Sequence, residues 1–277
     1  MTVASTSDHS QSAAALSLDA AGCGDRSASE VLSGVTGQLR SGRVCALIGP
    51  NAAGKTTLLR LLLGQLVPTS GRITLGGREV SSLSPHRRAA SISYVPQRGE
   101  AGFAFDVRQV VAMGRYALPR DEAAVAGAMA ACDLSELADR PYVELSVGQQ
   151  QRVLLARAMA QAAGSKGVML LDEPVSAMDL WHVHRTMSRL KALASGGMAV
   201  LAVLHDLNLA ARYADDVWLL HEGVLRAAGS HDQVLRPDVL EPVYRVPLER
   251  VDRGEGERAV LLPAPGDTLS QWQERTT

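Results

Sequence analysis

Aromatic residues are scarce in this chain: they make up 4% of 277 residues, Phe occurs twice, and nothing aromatic precedes Tyr94. Cysteine is equally sparse, since Cys23, Cys45 and Cys132 stand far apart with no C-x-x-C pair. That excludes a disulfide framework and a thiolate metal site, and it fits a reducing cytosol, with Cys45 read as a small buried thiol in an apolar strand. No charge of either sign dominates, because the formal net charge is -1, the sequence pI is near 6.7 and no block of five like charges occurs. Nucleic acid is therefore not expected as a partner. No apolar run approaches the ~18 residues of a membrane span; Met198 to Leu204 ends at His205-Asp206. Residues 1–14 hold Asp8, Ser and Thr in place of a basic-then-apolar leader, so the chain is expected neither to cross nor to enter a membrane.

What is present is an ordinary globular composition, 46% apolar and 21% charged, enough for one large α/β domain or two small ones. Gly49, Gly54, Lys55 and Thr56 fall at the spacing G-x-x-x-x-G-K-[ST], between the short apolar run Val44 to Ile48 and a Leu-rich stretch, Thr57 to Leu66, on helical spacing. A strand before and a helix after is the context this phosphate-binding loop requires. Backbone N–H groups of Gly49, Pro50, Asn51, Ala52, Ala53, Gly54, Lys55, Thr56 and Thr57 (Pro50 excepted, having none) then surround the phosphates at the positive end of the helix. Lys55 adds a point charge, and the Thr56 hydroxyl can ligate Mg²⁺.

Along the chain, residues 1–14 read as a disordered tail. Leu16 to Leu18 and Val31 to Leu39 predict strands, and Ile73 to Leu75, Gly76-Gly77 and Arg78 to Val80 predict a hairpin. An antiparallel sheet is thus expected beside a parallel core. Ser91 to Val95 is a further strand ending at Pro96-Gln97, and helical spacing dominates the following segment, about 98–163. Strands return at Val168 to Leu171, Ala199 to Leu204 and Val217 to Leu220, each with a helix or turn after it, as in βα units. Ala259 to Leu262 with the preceding segment predicts a terminal strand pair, and residues 266–277 are expected to fray.

Two more constellations carry chemistry. Val168 to Leu171 is an apolar strand ending in Asp172-Glu173, where neighbouring side chains point to different places. Beside a phosphate loop, Asp172 can hold Mg²⁺ through water while Glu173 polarises the attacking water. Alone, such a pair also reads as a solvated helix start. Leu145-Ser146-Val147-Gly148-Gln149 opens a helix, with Ser146 as an N-cap, and His205 ends an apolar strand before Asp206, itself a cap for Leu207 to Tyr213.

The order of these motifs resembles the ATP-binding subunit of an ABC transporter over residues 15–265. The resemblance implies an α/β fold: a P-loop ABC-type ATPase with a parallel-sheet core, an N-terminal antiparallel β subdomain and a helical lobe. It implies ATP and Mg²⁺ as cofactors and a homodimer, with ATP lying between the phosphate loop of one copy and Ser146, Gly148 and Gln149 of the other. Carried over by position, Gln97 is the metal and coupling glutamine, Glu173 the catalytic base, Asp179 the cross-dimer loop acid and His205 the γ-phosphate sensor; Thr56, Gln97 and Asp172 are the metal residues. Phe103 to Phe105, Val107 to Arg115, Met178 to His182 and Val203 to Ala211 are similar to the group importing iron chelates, haem and cobalamin, its haem members above all. Expected partners are membrane permease subunits and, indirectly, a substrate-binding protein, with the chain peripheral on the cytoplasmic face of the cell membrane. Alternatives are a cobalamin or ferric-siderophore importer and a soluble ABC ATPase acting on DNA or ribosomes.

Three departures from the family pattern stand out. Ala52 replaces a usual Gly, a change tolerated if the residue avoids positive φ. Val147 replaces the first Gly of the signature, which implies negative φ there. The aromatic that would stack on adenine is missing before Tyr94. Phe103 and Phe105, close after Gln97, suit either a groove for a short permease helix or a buried core pair. The Glu173 assignment predicts that Glu173→Gln binds ATP normally and hydrolyses it roughly 100-fold more slowly, the usual size of a lost general base. Wild-type turnover in a steady-state phosphate-release assay would place the base elsewhere.

Overall fold

A computed structural model describes residues 14–25, 28–97, 105–251, 254 and 258–264, without the side chains of residues 25 and 28–30. Its first half runs β1 (Ala14–Asp25), β2 (Ala28–Arg40), β3 (Val44–Ile48), α1 (Lys55–Leu62), β4 (Ser70–Leu75), β5 (Arg78–Glu79), α2 (Pro85–Ser91) and β6 (Ile92–Val95). Three helices follow, α3 (Val107–Ala112), α4 (Glu122–Ala131) and α5 (Val147–Ala162). The chain then returns through β7 (Val168–Leu171), α6 (Leu180–Ser195), β8 (Ala199–Val203), α7 (Leu207–Tyr213), β9 (Asp216–His221) and β10 (Val224–Ser230). It closes with α8 (His231–Val234), α9 (Pro237–Tyr244), β11 (Leu248–Val251) and β12 (Val260–Pro263).

The central sheet has the order β10-β9-β3-β8-β7-β6, parallel from β9 to β6 with β10 antiparallel at one edge. β3, β8 and β7 are apolar at every position because both faces are covered. On β3, Val44, Ala46 and Ile48 join the core shared with α3 to α7, while Cys45 and Leu47 join the core shared with α1 and the antiparallel sheet β2-β1-β4-β5. β7 divides the same way, Met169 and Leu171 to one side and Val168 and Leu170 to the other. Period two over a fully buried strand reads in sequence as an unbroken apolar run.

Helix starts follow their caps. The side chains of Asp106, Asp121, Ser146, Asp179 and Asp206 each accept a backbone N–H in the first turn of the helix they open. α3, α4 and α5 pack together over Val107, Val111, Val125, Met129, Leu134 and Leu155, within the stretch expected to be helical; residues 98–104 of that stretch, Phe103 among them, lie outside the described residues.

Several boundaries move. Ala14, expected in the tail, is the first residue of β1, and α1 stops at Leu62, short of Leu66. The stop is Gly64 at φ 67°, across which Gln65 N–H reaches back to the Arg60 carbonyl, a Schellman closure. Val80 leaves the hairpin for a 3₁₀ turn. β8 ends at Val203, one residue early, and β12 runs from Val260 to Pro263, paired with β11. Residues 266–277 fall outside the described residues.

Candidate functional site

Four adjacent parallel strands, β3, β8, β7 and β6, end at one edge of the sheet, and each delivers a predicted residue there. After β3, Gly49 takes φ 149°, and a Cβ on it would sit 2.0 Å from the Leu220 carbonyl oxygen, so only glycine fits. Gly54, at φ 102°, is the N-cap of α1 and supplies no side-chain cap, leaving the first N–H groups of that helix open to an anion. Lys55 is nearly buried, its Nζ donating to the carbonyls of Gly49 and Pro50 at 2.8 Å each. Burial draws its pKa down, against the nearby charges of Glu173 and Asp172.

Ala52 corrects an expectation. It sits at φ 62°, in the left-handed region that the absence of strain required it to avoid. Its methyl is exposed and packs against little, so the loop bears the backbone cost uncompensated.

At the end of β7 the two carboxylates diverge as expected. Asp172 is 4% exposed and accepts the Thr56 hydroxyl at 3.3 Å. Burial pushes its pKa up; the Thr56 bond and Lys55 oppose this, and Glu173 adds to it. Glu173 turns away through φ 50°, a sparsely populated conformation for a non-glycine residue. Its Oε2 accepts from Gln97 Nε2 at 2.8 Å, and its Oε1 lies 2.6 Å from His205 Nε2. Gln97 lies two residues past the end of β6, and His205 two residues past the end of β8. One carboxylate therefore gathers three strand ends, and it stands beside the Thr56–Asp172 pair.

The remaining predicted residues form a second group. Ser146 is the exposed N-cap of α5, accepting Gln149 N–H at 3.3 Å, while the Gln149 side chain accepts Ser146 N–H at 3.0 Å. Val147 is the first helical residue and does not take positive φ, as its branching implied. A Cβ on Gly148 would sit 2.8 Å from the Ala177 carbonyl, so this turn lies against the loop ending at Asp179. Asp179 caps α6 and accepts from His182 through N–H and ring nitrogen, which holds its carboxyl below the usual range. Among the described residues no hydrogen bond or ion pair joins this group to the phosphate loop. Sequence reasoning missed Tyr244 of α9, whose burial raises its pKa to about 12 while the Gly49 N–H beside its hydroxyl pulls the other way. No local pattern announces it.

The model of the family described as ABC transporter matches residues 32–176, and that span holds the phosphate loop, the Ser146 turn and Asp172-Glu173. The chain belongs to this family. It is an ABC-type ATPase. Hemin import ATP-binding protein HmuV of Pseudomonas entomophila (strain L48) is 44% identical over 229 residues, 80% of this chain and 89% of that one. Cobalamin import ATP-binding protein BtuD of Halobacterium salinarum is 41% identical over 221 residues, 77% of this chain and 55% of that one. A solved structure described as a metal-chelate type ABC transporter in an inward-facing conformation aligns with a TM-score of 0.75 at 30% identity, over 91% of this chain and 97% of that one.

The strain at Ala52 yields a stability prediction. A left-handed alanine costs about 1–2 kcal/mol, and exchange for glycine returns about 0.4–1 kcal/mol to the unfolded chain. Ala52→Gly is thus expected to raise the melting temperature of the nucleotide-free protein by roughly 2 °C. A lower melting temperature by calorimetry would show that the methyl makes a stabilising contact.

Proposed function

We propose that this ATPase powers a bacterial haem importer, peripheral on the cytoplasmic face of the membrane, working as a homodimer beneath permease subunits that receive haem from a substrate-binding protein. The observation that carries the cargo is the 44% identity to a hemin import ATP-binding protein over most of both chains. Among the described residues no helix is long and apolar enough to cross a membrane, consistent with a separate permease.

In this reading the phosphate loop and α1 hold the nucleotide phosphates, with Lys55 leaving the Gly49 and Pro50 carbonyls for them. Thr56, Asp172 and Gln97 are hard oxygen donors of the kind that suit Mg²⁺, and the Thr56–Asp172 contact already sets two of them together. When bound, the ion neutralises charge building on the phosphates. Glu173 takes the proton of the attacking water. Gln97 and His205 fix its two oxygens, so the carboxylate needs no reorganisation at the moment of transfer. Ser146, Gly148, Gln149 and Asp179 act on the nucleotide of the other copy, a reading supported by the lack, among the described residues, of any hydrogen bond or ion pair between them and the phosphate loop of their own chain.

A groove of about 310 Å³ between α2, β6, α5 and the turn that follows α3 is the reading for permease docking. Met113 and Tyr116 stand exposed on its rim, and its lining carries Arg88 and Arg157 without any carboxylate. Arg157 has no hydrogen-bond or ion-pair partner among the described residues, and burial draws its pKa down. A short permease helix bearing an acidic side chain fits this chemistry. Phe105, 38% exposed, borders a neighbouring cleft with Met113 and Tyr116, which favours the groove reading for it over a buried core pair.

A cobalamin importer is the second reading, on the 41% identity above. Growth of a strain lacking the gene, on haem, ferric siderophore or cobalamin, separates them. Restored haem use with the wild-type gene, and none with Glu173→Gln, is expected; restored cobalamin or siderophore use alone reassigns the cargo. For docking, Tyr116→Asp is expected to abolish co-purification with the permease while the isolated ATPase stays within about two-fold of wild type. Undiminished co-purification would move the contact elsewhere.

A further inference from the structure

Asp133 occupies a position that costs energy. It follows α4 at φ 55°, where glycine is the usual residue, and its side chain is turned inward to a cluster of arginines. Arg185 Nη2 of α6 lies 2.8 Å from Asp133 Oδ1, and Arg189 Nη2, also of α6, 3.4 Å from Oδ2. Arg152 of α5 donates to the carbonyls of Cys132 and Asp133, at 3.0 Å each. One turn of chain thus joins the helix that opens at Ser146 to the helix that opens at Asp179.

The connection continues to Asp179 itself. Arg185 Cζ lies 4.5 Å from the centroid of the Trp181 ring, Trp181 meets the His182 ring edge-on at 4.7 Å, and His182 Nδ1 lies 2.8 Å from Asp179 Oδ2. The buried Thr186 hydroxyl adds a contact to Met178 sulfur at 3.5 Å. At the other end of both helices' first turns, Gly148 lies against the Ala177 carbonyl with no room for a side chain. The Ser146 turn and the Asp179 loop are therefore fastened twice, once by direct backbone approach and once through Asp133.

We infer that Asp133 is a positioning residue for hydrolysis in the opposing site: it locks Ser146 to Gln149 and Ser176 to Asp179 into one rigid surface that is presented as a unit to the second copy. The inference rests on the pairing described under the proposed function. A carboxylate shared by two guanidiniums, partly shielded from water, fixes relative position far better than an exposed pair. Among the described residues no hydrogen bond or ion pair joins Asp133 to the phosphate loop, so its loss is expected to act on turnover and to leave nucleotide binding to the isolated copy alone.

The test uses the full chain in solution. Asp133→Asn is expected to lower kcat roughly ten-fold, in the range of mutations along coupled networks, while affinity for a fluorescent ATP analogue, measured at protein concentrations too low for pairing, is unchanged. Asp133→Glu is expected to recover part of the rate. Asp139→Asn, which removes an exposed ion pair with Arg108 on the same group of helices, serves as the control and is expected to keep kcat. Should Asp133→Asn fold poorly, Arg185→Gln leaves Asp133 paired with Arg189 and is expected to show the same split between kcat and affinity. Pairing is read separately, by size-exclusion chromatography of Glu173→Gln with ATP. If that variant stays monomeric, the pairing reading is wrong and this inference falls with it. If it pairs, yet Asp133→Asn and Arg185→Gln turn over at the wild-type rate, or lose affinity and rate together, the role assigned to Asp133 alone is overturned.

Discussion

Two contacts to one carboxylate, from Gln97 to Glu173 Oε2 and from His205 to Oε1, are the interaction on which the proposed chemistry depends. They exist because β6, β7 and β8 are adjacent and parallel, so that residues just past three strand ends meet at one edge. An antiparallel neighbour would send one of those ends to the far side of the sheet. β3 is the next strand in the same order, and it brings the phosphate loop to the same edge, the usual ligand position in an open parallel sheet. Sheet order is thus the fact from which the site follows, and sheet order is fixed by strands buried on both faces.

Charge is arranged there with little margin. Asp172 and Glu173 are consecutive acids near a buried lysine, and burial disfavours the ionised form of Asp172 and Lys55 alike. Without nucleotide, Lys55 satisfies itself on two loop carbonyls, and Asp172 on a threonine hydroxyl. Each is a neutral partner for a charged group. A phosphate offered to Lys55 would set a full negative charge against the ammonium in place of two carbonyl dipoles. The backbone is strained where this matters, at Ala52 and Glu173, both non-glycine residues in the left-handed region.

Much of this was legible in the sequence, because the signals are local. Gly49, Gly54, Lys55 and Thr56 declare a loop whose geometry is set by its own glycines, and Asp172-Glu173 after four apolar residues declares a strand end. The caps at Ser146, Asp179 and Asp206 are equally local. What could not be read depends on distant neighbours. Ala52 has the same composition at either sign of φ, and only the loop's closure decides. Gly148 looks like a phosphate-contact glycine, yet the group that forbids its side chain within the chain is the Ala177 carbonyl. Asp133 and Tyr244 sit in stretches with no motif, and their partners come from segments remote in sequence; Arg157 has no hydrogen-bond or ion-pair partner among the described residues for a pattern to announce.

The division of the predicted residues into two groups has a chemical reading of its own. Ser146 Oγ accepts Gln149 N–H at 3.3 Å, a long cap bond, and among the described residues its own proton has no acceptor. A serine that only capped a helix would gain from a tighter bond and from being shielded; this one is exposed, at the end of a helix whose positive pole faces outward. An exposed hydroxyl proton and a helix N-terminus together are complementary to an oxygen anion. The phosphate loop of the same chain holds the matching N–H donors, and among the described residues no hydrogen bond or ion pair joins the two, so the proposed pairing brings the anion to Ser146 on another molecule. In the homodimer proposed above, a second copy of the chain with nucleotide on its own loop would supply it with the required sign and place both open surfaces on the same ligand.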